Sequence, residues 1–263
     1  MNHLLNLDRY PIANLGEADG KALVRRSVEC LMRTGILTLP GFVLEETIRK
    51  INEDLKPVLA RSAFRHTRHH NIYFDDSFDQ IPPNHPALRQ GMTMNHTISG
   101  DQIPDNPICK IYQWPSLVKF LSTILKKKAL YIMSDPIAAL NVLEYRPGEP
   151  ALNWHFDRSE FTITILLSSA TFGGKFQYRS SLRTKENPNY EGIARLLADQ
   201  DSKVKTLSLD PGTLCVFRGV ETAHRVTPVI GRVSRIVAVF SYYESPNVRF
   251  SPTELLGFYG RTE

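Results

Sequence analysis

His155 and Asp157 stand two residues apart in Asn153-Trp154-His155-Phe156-Asp157, which reads as opening a strand that continues through Phe161-Thr162-Ile163-Thr164-Ile165, rich in β-branched and aromatic residues. In extended chain, residues i and i+2 point to one face, so this imidazole and this carboxylate can meet one ion. His224, in Thr222-Ala223-His224-Arg225-Val226, supplies a second imidazole from a distant part of the chain. Two imidazoles and one carboxylate on one face of an octahedron leave the remaining positions open to reactants. That is the ligand set of non-haem Fe(II) oxygenases.

Eleven residues beyond His224, Arg235 opens the strand-like run Arg235-Ile236-Val237-Ala238-Val239-Phe240-Ser241-Tyr242. Alternation places Arg235, Val237, Val239 and Ser241 on one face, so an always-charged guanidinium sits among apolar neighbours. Such a group calls for an anion, and a dicarboxylate chelating the metal through its 2-oxo acid end would offer its far carboxylate as a bidentate partner. Arg232, eight residues past His224, is the alternative, but it falls in a turn. Ser241, on the Arg235 face, is a candidate substrate contact. Trp154, beside the first ligand, is either a core aromatic or a pocket wall. Arg158 and Glu160 either recognise a zwitterionic substrate or pair with each other on the rim. Tyr259 and Arg261 close over the pocket or dock as a tail, while Arg225 points away from the metal.

The elements that must position these groups divide near residue 135. Before it, apolar spacing predicts helices over about 17–34, from Phe42 to about Leu59, and from Ser116 to Leu125, with a short strand at Ile36 to Leu39. Ala18, Ala22, Val28, Leu31 and Met32 carry the first of these. Between the helices, Arg65-His66-Thr67-Arg68-His69-His70 places His66 and His70 four apart. No Glu follows His66 as in a helical HExxH site. With the aromatic, acidic stretch from Tyr73 to Asp79, this segment reads as an exposed or lid loop. From Ile137 onward the segments are short and β-rich, punctuated by Pro147-Gly148, Gly173-Gly174, Pro211-Gly212 and the Pro228 to Gly231 stretch. That is the pattern of an antiparallel barrel or double-sheet roll, with one inserted helix near 187–198. The expectation is one domain over 1–263: helical buttress and lid elements over 1–134, and a β core over 135–263.

Composition narrows the class. Lys and Arg number 32 against 27 Asp and Glu, a net +5 that is scattered, with Lys126-Lys127-Lys128 the longest basic run, so no nucleic-acid stripe is expected. Cys30, Cys109 and Cys215 are far apart and form no CxxC pair, which argues against a disulfide framework and a thiolate zinc site. No stretch approaches the ~18 apolar residues of a membrane span, and the first twenty residues lack a signal-peptide core. A cytoplasmic protein acting on a small molecule, without nucleic-acid or membrane partners, is expected.

His155, Asp157, His224 and Arg235, with Tyr145 ten residues before His155, resemble the Fe(II)/2-oxoglutarate-dependent dioxygenases over about residues 138 to 245. The resemblance implies a mainly β fold with flanking helices around a double-stranded β-helix (jelly-roll, cupin-like) core. It implies iron on His155, Asp157 and His224, and 2-oxoglutarate on Arg235 and Tyr145. O2 would be the other co-substrate, with succinate and CO2 as co-products. His155 to Phe161, Gly173 to Phe176, Pro211 to Leu214, His224 to Val229 and Gly257 to Arg261 are similar to the bacterial free-amino-acid halogenases and their hydroxylase relatives. Halogenases of that group carry Gly or Ala at the carboxylate position, where chloride binds; Asp157 fills it here. The expectation is hydroxylation of an unactivated C–H in a small polar metabolite, an amino acid or derivative. The alternative is a cupin-like isomerase or binding protein that holds metal without 2-oxoglutarate.

Overall fold

Helix α1 (Ala18–Thr34) buries Leu23, Ser27 and Leu31 and ends at Gly35. Met32, expected on that buried face, is 72% exposed, so the stripe runs through Leu23 and Ser27 instead. The strand β1 (Ile36–Leu39) precedes α2 (Glu45–Ser62), which buries Ile48, Ile51, Leu55 and Leu59. The next two elements correct the sequence reading: β2 (Phe64–His70) and β3 (Gly91–Ser99) are strands where helices and a loop were expected. β2 pairs only with β3 at the edge of the sheet, so most of its residues meet water and it lacks hydrophobic alternation. α3 (Pro107–Tyr112) and α4 (Pro115–Ile124) each start on proline, whose missing N–H costs nothing in a first turn.

β4 (Tyr131–Ile132), β5 (Leu140–Tyr145), β6 (Thr162–Ser168), β7 (Phe172–Gly173) and β8 (Phe176–Arg179) follow, then α5 (Tyr190–Leu197). The chain ends with β9 (Lys205–Leu207), β10 (Leu214–Phe217), β11 (Ala223–Val226), β12 (Val229–Ile230), β13 (Arg235–Phe240), β14 (Tyr242–Tyr243) and α6 (Pro252–Tyr259). This computed structural model describes residues 1–75, 78 and 80–263; Asp76, Ser77 and Asp79, from the segment expected as a lid, lie outside the described residues.

A seven-stranded antiparallel sheet, in the order β1-β10-β6-β13-β5-β3-β2, faces a smaller sheet of β11-β8-β9. Paired residues share a face, and the register separates two environments. Ile98, Val142, Ala238, Ile165 and Leu214 pack with α1, α2 and α4 in a core that also takes in Leu5 and Leu255. The other face carries Tyr145 opposite Arg235, Leu143 opposite Thr97, and Asn141 opposite Ser99. It meets the small sheet through Ile36, Cys215 and Phe217 against Phe176 and Tyr178. Polar groups therefore converge between the two sheets. Among the described residues, no helix is long and apolar enough to cross a membrane.

Candidate active site

Thr222-Ala223-His224 approaches Asn153-Trp154-His155 as an antiparallel bridge, with His155 N–H to His224 O and His224 N–H to His155 O both at 3.0 Å. Directly opposed residues project side by side, and the two rings lie 4.0 Å apart. Asp157 reaches both: Oδ1 is 3.2 Å from His155 Nε2 and Oδ2 is 3.4 Å from His224 Nε2. All three ligand atoms lie within 4.8 Å of one another. The three side chains converge, but not from one continuous strand: His155 lies in this isolated bridge, and β6 begins only at Thr162.

Each imidazole is already committed at its other nitrogen. His155 Nδ1 donates to Asn153 O at 2.9 Å and His224 Nδ1 to Thr222 O at 3.0 Å, which leaves both Nε2 lone pairs facing the centre. Burial pushes the His224 pKa down to about 4; Asp157 opposes the shift and His155 adds to it, so the ring is neutral near pH 7. For Asp157, burial favours the neutral acid, but the charge of His224, the contacts with His155 and the Thr162 hydroxyl outweigh it. The carboxyl therefore lies well below its usual range. Thr162 Oγ1 donates to Oδ2, and Asp157 N–H bonds the Gly219 carbonyl at 3.1 Å. A Cβ on Gly219 would sit 2.6 Å from Asp157 Oδ2, so only glycine lets that turn come so close. Thr162 and Gly219 were not singled out from the sequence; no local pattern marks a hydroxyl that faces a ligand only after the chain turns back.

Aromatic rings wall the centre. Phe217 meets His224 edge-on at 4.8 Å, Phe176 lies 5.6 Å from it, and Phe74 meets His155 edge-on at 5.6 Å. A neutral His224, an ionised Asp157 and a His155 Nε2 turned to the same centre are ligand atoms a divalent ion can take up. The donor set fits Fe(II).

Arg235 is 5% exposed, and its Nε is buried without a hydrogen-bond partner. Among the described residues no carboxylate pairs with it. Burial lowers its pKa while Tyr145 and Cys215 oppose the change. Tyr145, 2% exposed, faces it across the β5–β13 register, and burial pushes its phenol up. Ala151, Val226, Val229 and Val237 make the surroundings apolar. A buried guanidinium with an unsatisfied donor and a phenol beside it is a cradle for a carboxylate. Arg232 is exposed in the turn, outside this cradle.

The remaining expected site residues are placed differently. Trp154 is buried with Phe156, Ile193 and Leu196 in a separate cluster, with Arg225 over its ring at 4.8 Å, because adjacent residues of an extended chain diverge. Arg158, largely exposed, pairs with Glu254 of α6 at 2.7 Å, and Glu160 pairs with Lys127 at 2.7 Å, so of the two readings the mutual Arg158–Glu160 pair does not form. Ser241 donates to Ala138 O at 3.0 Å and so ties the end of β13 to the segment before β5. Tyr259 is half-buried on α6, with the Asn141 side chain as partner, and Arg261 donates from Nη2 to both carboxylate oxygens of Asp101. His66 stacks on Phe258 at 5.9 Å, while His70 is buried.

The fold and this centre together define the class: a 2-oxoglutarate-Fe(II) oxygenase fold around a two-histidine, one-aspartate site. The chain is similar in structure to AviO1 from Streptomyces viridochromogenes Tue57 (TM-score 0.57, 14% identity, 87% of this chain and 97% of that one). It is also similar to HygX from Streptomyces hygroscopicus, solved with nickel and 2-oxoglutarate (0.55, 14%, 83% and 86%). A third is an oxidoreductase of the 2OG-Fe(II) oxygenase family from Burkholderia pseudomallei (0.53, 14%, 86% and 92%). No curated protein matches the sequence. The sequence model of one family, Halogenase D, matches residues 20–253, and the chain belongs to that family.

Proposed function

We propose that this oxygenase hydroxylates an unactivated C–H of a small polar metabolite, an amino acid or derivative, with 2-oxoglutarate and O2 as co-substrates. The observation that carries the reading is Asp157, present and braced between Thr162 and the two histidines, in a family described by halogenation. A carboxylate in that position occupies the place an inorganic halide would take, which favours oxygen transfer over halogen transfer. His155, Asp157 and His224 would hold Fe(II), which, with 2-oxoglutarate and O2, supplies the oxidation of the substrate C–H bond and leaves succinate and CO2. The chain's own residues do the positioning. Arg235 and Tyr145 would take the far carboxylate of 2-oxoglutarate, and the surrounding apolar cluster excludes water from that charge pair, which strengthens it. The three free cysteines fit a reducing compartment, and the cytoplasm is the proposed location.

Anaerobic addition of Fe(II) and then 2-oxoglutarate tests this. A weak visible charge-transfer band, diminished in Arg235→Ala, is expected. Iron binding without the band would favour the cupin-like reading, and no iron binding would remove both. Screening amino acids by succinate release, with mass spectrometry of the product, then separates addition of oxygen from addition of chlorine.

A further inference from the structure

His70 and Thr93 take no part in the reading above, yet through Asn153 they connect the edge of the large sheet to a metal ligand. His70 is 3% exposed, and its ring stacks on Phe74 at 4.0 Å. Its Nδ1 lies 2.8 Å from the Asn71 carbonyl, so that nitrogen carries the proton, and Nε2 accepts from the Thr93 hydroxyl at 2.7 Å. The same hydroxyl accepts the Asn153 N–H at 3.0 Å. Asn153 O in turn receives His155 Nδ1–H. Gly91, opposite His70 in the β2–β3 register, completes the seat: a Cβ there would meet Asn153 Cγ at 2.6 Å. Burial lowers the His70 pKa to about 4, opposed by the Asn71 carbonyl and reinforced by His155, Arg68 and His66, which keeps Nε2 an acceptor near pH 7.

A hydroxyl has one proton and two lone pairs, so Thr93 serves His70 and Asn153 at once. Valine has nearly the same shape and neither function. The segment after His70 is joined to the ligands as well: Phe156 N–H bonds Ile72 O at 3.1 Å, and Asn71 holds the Tyr73 N–H at 2.9 Å and the Asp75 carbonyl at 2.5 Å.

We propose that His70 and Thr93, with Gly91, form a positioning device that fixes the backbone of Asn153 and through it the ring orientation of His155. The proposal rests on His155 being an Fe(II) ligand. It follows by linkage that metal loading and the order of residues 71–75 stabilise each other.

The test is anaerobic titration with Co(II) alone, followed by its visible spectrum and by hydrogen exchange at the Phe156 amide with and without the ion. Thr93→Val weakens Co(II) binding about tenfold, the lower end for an outer partner of a ligating histidine, and removes the metal-dependent slowing at Phe156. Thr93→Ser restores both, which a role confined to packing would not require. A Thr93→Val protein with affinity within about twofold of wild type and unchanged metal-dependent exchange overturns the proposal. Should Thr93→Val fail to fold, His70→Phe keeps a ring against Phe74 while leaving the hydroxyl without its acceptor; it must also weaken Co(II), and equality with wild type overturns the proposal. Wild-type protein that binds no Co(II) overturns the functional reading itself.

Discussion

The two ends of the cleft between the sheets are built on opposite plans. Around His155, Asp157 and His224, the groups have partners within the chain: carbonyls accept from both Nδ1 atoms, the Thr162 hydroxyl donates to the carboxylate, and the Asp157 N–H donates to the Gly219 carbonyl. At Arg235 a full charge is buried among valines with its Nε unpaired. Burying a charge without a partner costs several kcal/mol, and folds retain such a group where a ligand supplies the counter-charge. The difference teaches that the metal end is preorganised, while the arginine end is completed only by an anion.

The largest effect is expected where the preorganised end loses a ligand. Asp157→Ala should reduce hydroxylated product to background and leave only residual succinate release, because removing one of three ligands leaves an ion held by two histidines; full hydroxylation in that variant would break the assignment. The vacated position also provides a sharper observation, since azide or chloride transfer to substrate is expected to become detectable by mass spectrometry. At the other end, Arg235→Ala should raise the KM for 2-oxoglutarate about 100-fold, the scale of a buried charge-assisted bidentate pair. Metal affinity without 2-oxoglutarate should stay near wild type. A variant that loses metal and co-substrate together would show that the two ends are not separate.

This contrast was partly legible in the sequence. His155 with Asp157, and Arg235 on its strand, were marked by strand period and residue type, and His224 by residue type alone. Tyr145 came from the family resemblance, and the cross-strand pairing with Arg235 now accounts for it. What was hidden depends on tertiary return. Thr162 meets Asp157 only after the loop between them folds back. β2 was read as a loop because an edge strand with Arg, His and Thr on both faces has no hydrophobic period. Of the two readings open for Trp154, core or pocket wall, it packs in a core cluster with Phe156, and Arg158 pairs with Glu254, 96 residues away, a partner no local spacing announces.

Acid should damage the metal end and spare the arginine end, since arginine does not titrate in this range. His224 and His70 both have folded pKa values lowered from 6.5 to about 4 by burial. Between these values the unfolded chain binds more protons than the folded one, so their contribution is fully present above pH 6.5 and is lost as the pH falls toward 4. Metal-free protein should therefore lose about 4 kcal/mol over that window, roughly 2 for each histidine, read as a falling Tm between pH 6.5 and 4.5. Asp157, held below the usual carboxylate range, acts only at lower pH, so a flat Tm over this window would break the assignment of neutral, buried imidazoles.

The smallest effect tests how much of the preorganisation lies beyond the ligands themselves. Thr162→Val removes the hydroxyl that donates to Asp157 Oδ2 while keeping a β-branched side chain in β6, so the fold should persist. The carboxylate then loses its fixed rotation between His155 and His224, and Fe(II) affinity should fall about tenfold, with the 2-oxoglutarate KM of the loaded enzyme little changed. Thr162→Ser should recover most of the affinity, because it restores the donor and only shortens the side chain. If Val and Ser behave alike, the backbone bond from Asp157 to Gly219 suffices to aim the carboxylate. The contrast between the two ends would then rest on the main chain alone.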